Sequence, residues 1–246
     1  MEQEVRIKSG NTKLFGIIHY PKSQTRKAVI FSNGYPDEIL EYHLPIAVTR
    51  ALAKGGFVSL GFNTRGRWPS KGKFTKVGML DEVSDLEAAI RFMHNKGFSR
   101  IGIAGHSLGG TSCALIDKKY VNAMVLLEPA LDVKFLLKSW NTKEIQRQFK
   151  RSEFAVVDYS YILGRKRIAE IIKLKDISDE VSNLRVPTLF IGGSKNIVTP
   201  HLKKAYKIAS SPKALRLIPH ARHTFDDEDV EKKMLAYTVG WFKKWL

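Results

Sequence analysis

One cysteine, Cys113, occurs in 246 residues. That excludes an intramolecular disulfide and any zinc site built from several cysteines. A lone thiol suits a reducing compartment. The opening MEQEVRIKSG has acids and no apolar run, so it does not read as a signal peptide. A cytoplasmic location is expected. Long hydrophobic runs are also scarce. The longest charge-free apolar stretch, 101–116, holds a His, two Ser and four Gly, and is too short and too polar to span a bilayer. No stable membrane insertion is expected. Neither His-Glu-x-x-His nor Gly-x-x-x-x-Gly-Lys occurs, so no metal and no organic cofactor is expected.

Acids are few: 24 Asp and Glu face 41 Lys and Arg, a net charge of +17. Such an excess makes a nucleic acid or an anionic membrane the first partner to consider. The excess is spread along the chain, however. No basic-aromatic RNA pattern, zinc-finger spacing or basic zipper accompanies it, so no nucleic-acid partner is expected. Only the segment 65–76 is concentrated, with Arg65, Arg67, Lys71, Lys73 and Lys76 and no acid. A solvated loop is the simpler account of it; attraction of an anionic substrate is the other.

What is present is an α/β alternation. A hydrophobic fraction of 43% is enough for a globular core despite the charge. Short β-branched or aromatic runs at 4–8, 14–20, 27–32, 57–62, 100–105, 122–128, 187–192 and 213–218 predict strands. Helix-period segments at 42–54, 80–96, 109–118, 201–209 and 228–245 lie between them. The pattern predicts an eight-stranded, mostly parallel sheet flanked by helices, with an antiparallel start around the turn Ser9-Gly10-Asn11-Thr12. Residues 130–183 break the alternation with helical patterns and no clear parallel strand. They read as a mainly helical cap inserted into a core made of 1–129 and 184–246.

The most informative stretch is RIGIAGHSLGGTSCALID, 100–117. An apolar strand runs into Gly105-His106-Ser107-Leu108-Gly109, and a helix follows. Gly-x-Ser-x-Gly in this context is a nucleophile turn. A sharp strand-to-helix bend strains the serine backbone, and glycines two positions either side relieve the crowding. The start of the helix then offers N–H groups to an oxyanion.

On this motif the chain resembles the α/β-hydrolase family, in particular its small esterase, lipase and serine-peptidase-like members. Four further segments carry the resemblance. SNGYP at 32–36 stands where relatives have a His-Gly-x stretch. FNTRGRWPSKG at 62–72 stands where they have Asp-x-Arg-Gly-x-Gly-x-Ser. VPTLFIGGSKNIVTP at 186–200 matches the strand that delivers the catalytic acid, and IPHARHTF at 218–225 the one that delivers the histidine. The resemblance implies Ser107 as nucleophile and His223 as base, with His220 the competitor and His106 a packing or supporting residue. It implies an oxyanion hole from the amides of Leu108 and Tyr35.

The acid departs from the family pattern, because Asn196 stands where relatives carry Asp. A neutral amide can orient a histidine but cannot stabilise an imidazolium. In a well-studied serine protease that swap costs about 10⁴ in turnover. Glu128, at the end of AMVLLEPA, is the expected substitute, as in relatives whose acid leaves this strand. A carboxylate pairing with a Lys or opening the cap is its alternative reading. Asp132 is a weaker candidate, and Asp226 and Asp227 suit capping of the final helix.

Pocket linings read from the sequence are Tyr35, Trp68, Leu108, Trp140, Phe154, Tyr159 and Tyr161, with Trp68, Trp140 and Tyr159 the substrate-binding candidates. Together they suggest an apolar or aromatic acyl pocket. The function expected is a serine hydrolase cleaving a small-to-medium carboxylic ester through an acyl-enzyme. The alternatives are a non-catalytic binding protein with a degenerate triad, and a thioesterase or peptidase of the same fold.

Overall fold

The computed structural model describes residues 1–40, 42–157, 161–174 and 176–246. The apolar runs form β1 (Glu2–Ser9), β2 (Thr12–His19), β3 (Lys27–Ser32), β4 (Val58–Phe62), β5 (Arg100–His106) and β6 (Ala123–Leu127). Two short strands, β7 (Phe154–Val157) and β8 (Tyr161–Gly164), precede β9 (Thr188–Gly193) and β10 (Lys213–Ile218). One eight-stranded sheet has the order β1-β2-β4-β3-β5-β6-β9-β10. β2 pairs antiparallel with β1 and β4, and every later neighbour is parallel. Each of the eight expected runs is a strand of this sheet, with ends within two residues.

The helices are α1 (His43–Lys54), α2 (Met79–Asn95), α3 (Leu108–Leu115), α4 (Val133–Trp140), α5 (Lys143–Arg151), α6 (Arg165–Leu174), α7 (Ser178–Ser182), α8 (Thr199–Ile208) and α9 (Glu228–Trp245). Strand alternation divides the core between the two faces of the sheet. In β3, Val29 and Phe31 pack with Leu52 of α1 and Phe242 of α9. Ala28 and Ile30 pack on the opposite side with Leu86 and Ile90 of α2, Ala114 of α3 and Leu202 of α8.

The segment between β6 and β9 has a small core of its own, made by Ile145, Phe149, Ala155, Val157, Leu163 and Ile168. Its β7–β8 hairpin is antiparallel and was not expected from the sequence. Four-residue strands with one wet face are too short for a period of two to stand out. Ile177 and Val181, near the end of this segment, pack instead in the main core.

Strand register gathers the functional loops at one edge. Ser32 lies opposite Gly105, Leu127 opposite Ile191, and Ile218 opposite Gly193. The loops after β3, β5, β6, β9 and β10 therefore leave the carboxyl edge of the sheet side by side. Among the described residues, the non-glycine positions with positive φ are Ser107 (52°), Glu128 (41°), His220 (59°) and Phe225 (53°). All four sit in three of those loops. Backbone strain of about 1–3 kcal/mol per residue is thus concentrated where side chains must be aimed.

Candidate active site

Ser107 joins β5 to α3 with φ 52° and ψ −119°. Its N–H donates to Leu127 O at 3.0 Å, and its carbonyl accepts from the amides of Gly110, Thr111 and Ala130. A Cβ on Gly105 would run into the carbonyl of Gly109, and one on Gly109 would run into the carbonyls of Ser32 and Asn33. The two motif glycines touch each other and the end of β3, which explains their spacing.

The turn after β3 presses against this elbow. A Cβ on Gly34 would lie 2.8 Å from His106 Nδ1 and 3.3 Å from Ser107 Cβ. The Gly34–Tyr35 peptide therefore runs beside the serine. Among the described residues, neither the Tyr35 nor the Leu108 amide donates to a protein acceptor. Both remain available to a bound oxyanion. Leu108 itself is buried at the start of α3.

His223 follows β10 and lines the same cavity as Ser107, whereas His220 is exposed and lies outside it. No hydrogen bond joins Ser107 Oγ to His223 among the described residues; such bonds are often long before substrate binds. His106 lies against His223, their ring centres 4.8 Å apart. Its Nε2 donates to His223 O at 2.8 Å and its Nδ1 faces Asp37 Oδ2 at 3.4 Å. That carbonyl fixes the Nε2–H form of the ring.

Glu128 is fully buried at the end of β6. Its Oε1 accepts from the Gly193 amide, and its Oε2 lies 3.7 Å from His223 Nδ1. Oε2 has no hydrogen-bond partner among the described residues, a costly state for a buried carboxylate oxygen. Asn196 also borders the cavity, but its hydrogen bonds among the described residues are made by its backbone: its N–H donates to Thr199 Oγ1 at 2.9 Å and its carbonyl accepts from the Thr199 amide at 3.0 Å. Asp132 caps α4 and pairs with His201 Nδ1 at 2.8 Å. Asp227 caps α9, and Asp226 faces Arg222 at 3.7 Å.

The cavity holds about 420 Å³. Tyr35, Phe135, Leu136, Trp140 and Tyr161 give it an apolar wall, so it draws on both the core and the segment after β6. Three expected linings are not there. Leu108 is buried in the main core at the start of α3. Trp68 is 70% exposed on the far side of its loop, because Asn63 Nδ2 binds its carbonyl at 2.7 Å and holds the backbone, not the ring, inward. Phe154 is exposed on β7. Tyr159 lies outside the described residues.

The sequence profile described as Hydrolase_4, serine aminopeptidase, S33, matches residues 23–161, more than half of the chain. The chain belongs to this family of α/β-hydrolases. The uncharacterized protein YfhR of Escherichia coli (strain K12) is 28% identical over 178 residues, covering 70% of this chain and 55% of YfhR. The chain thus spans about half the length of that curated relative. Among solved structures, Est1E from Butyrivibrio proteoclasticus with ferulic acid bound has a TM-score of 0.85 at 19% identity, with 98% of each chain covered. The esterase domain of a Rhodothermus marinus protein has a TM-score of 0.75 at 17% identity, covering 100% of this chain and 99% of that one. At these identities the structures establish a shared α/β-hydrolase fold.

The basic loop of this α/β-hydrolase is solvated at Lys71, Lys73 and Lys76, as the simpler reading expects, but not at its two arginines. Arg65 grips Asp85 at 2.6 Å and Asp81 at 3.3 Å. Arg67 is 2% exposed and bonds Glu82 Oε1 at 2.8 Å. Both guanidiniums are engaged by carboxylates of α2, so neither is free for an anionic substrate. Nothing in a Gly-rich, charged segment announces inward arginines. Their acids lie fifteen to twenty residues on, in α2, where Glu82 and Asp85 interrupt the expected apolar face. The sequence also gave no signal for His201, whose ring stacks on Phe135 at 4.6 Å along the cavity wall.

Proposed function

We propose that this chain is a serine hydrolase that cleaves a small-to-medium carboxylic ester through an acyl-enzyme. The observation that carries the reading is a convergence. A strained Ser107 and His223 face one cavity, and the unpartnered Oε2 of buried Glu128 lies 3.7 Å from His223 Nδ1. In the mechanism, Ser107 Oγ attacks the acyl carbon as His223 Nε2 takes its proton. Glu128 stabilises the imidazolium, and the Leu108 and Tyr35 amides hold the oxyanion. The imidazolium protonates the departing alcohol. Water then attacks the acyl-enzyme with His223 again as base, and the carboxylic acid leaves.

The aromatic wall favours an aromatic or apolar acyl group, in keeping with the ferulic acid bound by Est1E. In this reading, residues 130–183 form a cap over the carboxyl edge. Among the described residues no helix is long and apolar enough to cross a membrane, and the substrate is a small molecule.

The test is a fluorophosphonate probe with a series of nitrophenyl esters. Labelling and turnover that both vanish in Ser107→Ala support the reading. A wild-type protein that neither labels nor turns over would return it to the non-catalytic alternative.

A further inference from the structure

A buried ion cluster stands directly behind the turn that carries the Tyr35 amide. Its centre is Glu82 of α2, 4% exposed. Arg67, from the loop after β4, bonds Glu82 Oε1 at 2.8 Å. Arg167, from α6, is 1% exposed and holds both Glu82 oxygens, at 2.9 and 3.0 Å. Burial opposes ionisation of Glu82, but the two guanidiniums outweigh it and hold the carboxyl below its ordinary range. Two cations share one anion, so the cluster carries a net positive charge.

Arg67 does not stop at Glu82. Its Nη1 donates to Gly34 O at 2.8 Å and to Asp37 O at 2.5 Å. The first of these bonds has a directional consequence. In a trans peptide the C=O and N–H vectors oppose each other. Pinning Gly34 O towards Arg67 therefore turns the Tyr35 N–H away from Arg67. Gly34 itself is packed against Ser107, where a Cβ on the glycine would lie 3.3 Å from the serine Cβ. A cation on the carbonyl also polarises the peptide and strengthens its N–H as a donor.

Arg167 engages the same turn through its side chain. Its guanidinium lies 4.2 Å from the centre of the Tyr35 ring, over its face. The Tyr35 hydroxyl donates to Ile162 O of β8. Burial pushes the phenol up to about 12, so it stays a donor at working pH. Tyr35 is thus clamped from the backbone by Arg67 and from the ring by the segment after β6.

We propose that Arg67 is a positioning residue of the oxyanion hole, fixing the Gly34–Tyr35 peptide with its N–H towards Ser107, and that Glu82 and Arg167 hold Arg67 in that role. The proposal rests on Ser107 being the nucleophile. Arg67 touches no substrate atom in this scheme. Its effect is confined to the transition state, when the carbonyl oxygen becomes an anion.

The test compares wild type, Arg67→Met, Arg67→Lys and Ser107→Ala in ester hydrolysis and in inhibition by an aryl trifluoromethyl ketone. That ketone forms a tetrahedral adduct whose oxyanion needs the hole. Arg67→Met should lower kcat about 10²-fold, the scale of losing one oxyanion donor. KM should stay within about threefold, and ketone affinity should fall in step with kcat. Arg67→Lys keeps a charge and one donor, so it should recover part of both; it also serves if Arg67→Met does not fold. The shape of the pH–rate profile should not change. A kcat loss with unchanged ketone affinity, a loss confined to KM, or Arg67 variants with wild-type values would overturn the proposal. Full turnover by Ser107→Ala would instead overturn the hydrolase reading, so the two failures are separable.

Discussion

Glu128 Oε2 lies 3.7 Å from His223 Nδ1, although β9 stands between the strands that deliver these two residues. The carboxylate crosses that gap because Glu128 has a positive φ and the neighbouring strand ends in glycine. A Cβ on Gly192 would lie 2.8 Å from Glu128 Oε1, and the Gly193 amide donates to that same oxygen. The end of β9 thus serves as a seat for an acid borne by β6. Asn196 can be neutral without leaving the histidine unsupported.

Exchanging the charge at each position tests this arrangement. Glu128→Gln keeps an oxygen for the Gly193 amide but removes the negative charge beside the imidazolium. Ester turnover should fall by about 10³–10⁴, the scale seen when a triad carboxylate becomes an amide. Asn196→Ala should change turnover by less than about threefold, because its hydrogen bonds to Thr199 are made by its backbone. Nitrophenyl ester kinetics measure both, and the reverse ranking would make Asn196, not Glu128, the residue that supports His223.

Gly34→Ala tests the close approach of the turn to the nucleophile. The new methyl group would meet Asp37 Oδ2 and His106 Nδ1 at 2.8 Å and Ser107 Cβ at 3.3 Å. The turn has to move away from Ser107, and the Tyr35 amide moves with it. Turnover should drop at least about tenfold, with a stability loss of about 1–3 kcal/mol from overpacking. Kinetics and urea unfolding on one preparation separate the two effects. Unchanged kcat would mean that the turn is not part of the catalytic apparatus.

Legibility from the sequence followed locality. Ser107 and its glycines could be read because strand, bend and helix are consecutive, and the contact between Gly105 and Gly109 is set by that bend alone. The sheet strands were readable because buried parallel strands are continuous apolar runs. Glu128 could be proposed because it ends such a run, but its distance to His223 depends on how β9 terminates. The Arg67–Glu82–Arg167 cluster was not legible. It joins three segments up to 100 residues apart, and charged residues in a loop or on a helix look solvated until packing shows otherwise. Trp68 was misplaced for a related reason, since residue type does not say which way a loop side chain turns.

The same cluster makes a prediction in pH. The Glu82 carboxyl is held below its unfolded value of about 4.3 by Arg167 and Arg67, against the opposing effect of burial. Its contribution to stability is therefore complete above that value and is lost as pH falls through the lowered folded value. Glu82→Gln should destabilise by about 3–5 kcal/mol near neutral pH, where it leaves two guanidiniums without their anion. Below about pH 4.3 the gap from wild type should narrow, because the unfolded chain takes up a proton at Glu82 that the folded protein does not. Urea midpoints from pH 7 to pH 3 measure the gap, and a constant difference would show that the charge of Glu82 is not what stabilises the protein.

Two tryptophans separate cavity from surface. Trp140 lines the cavity and packs its ring 5.7 Å from that of Tyr35. Trp140→Ala removes much of the aromatic wall while leaving Ser107, His223 and Glu128 untouched. KM for a phenylpropenoyl nitrophenyl ester should rise about tenfold, equivalent to about 1.4 kcal/mol. For an acetyl ester, which is too small to reach that wall, the rise should be less than about threefold. Trp68→Ala should leave both substrates unchanged, because its exposed ring lies outside the cavity. If instead Trp68→Ala raises KM for the aromatic ester, the substrate extends across the 65–76 loop. Equal effects of Trp140→Ala on both esters would mean that this wall supports the fold and does not read the acyl group.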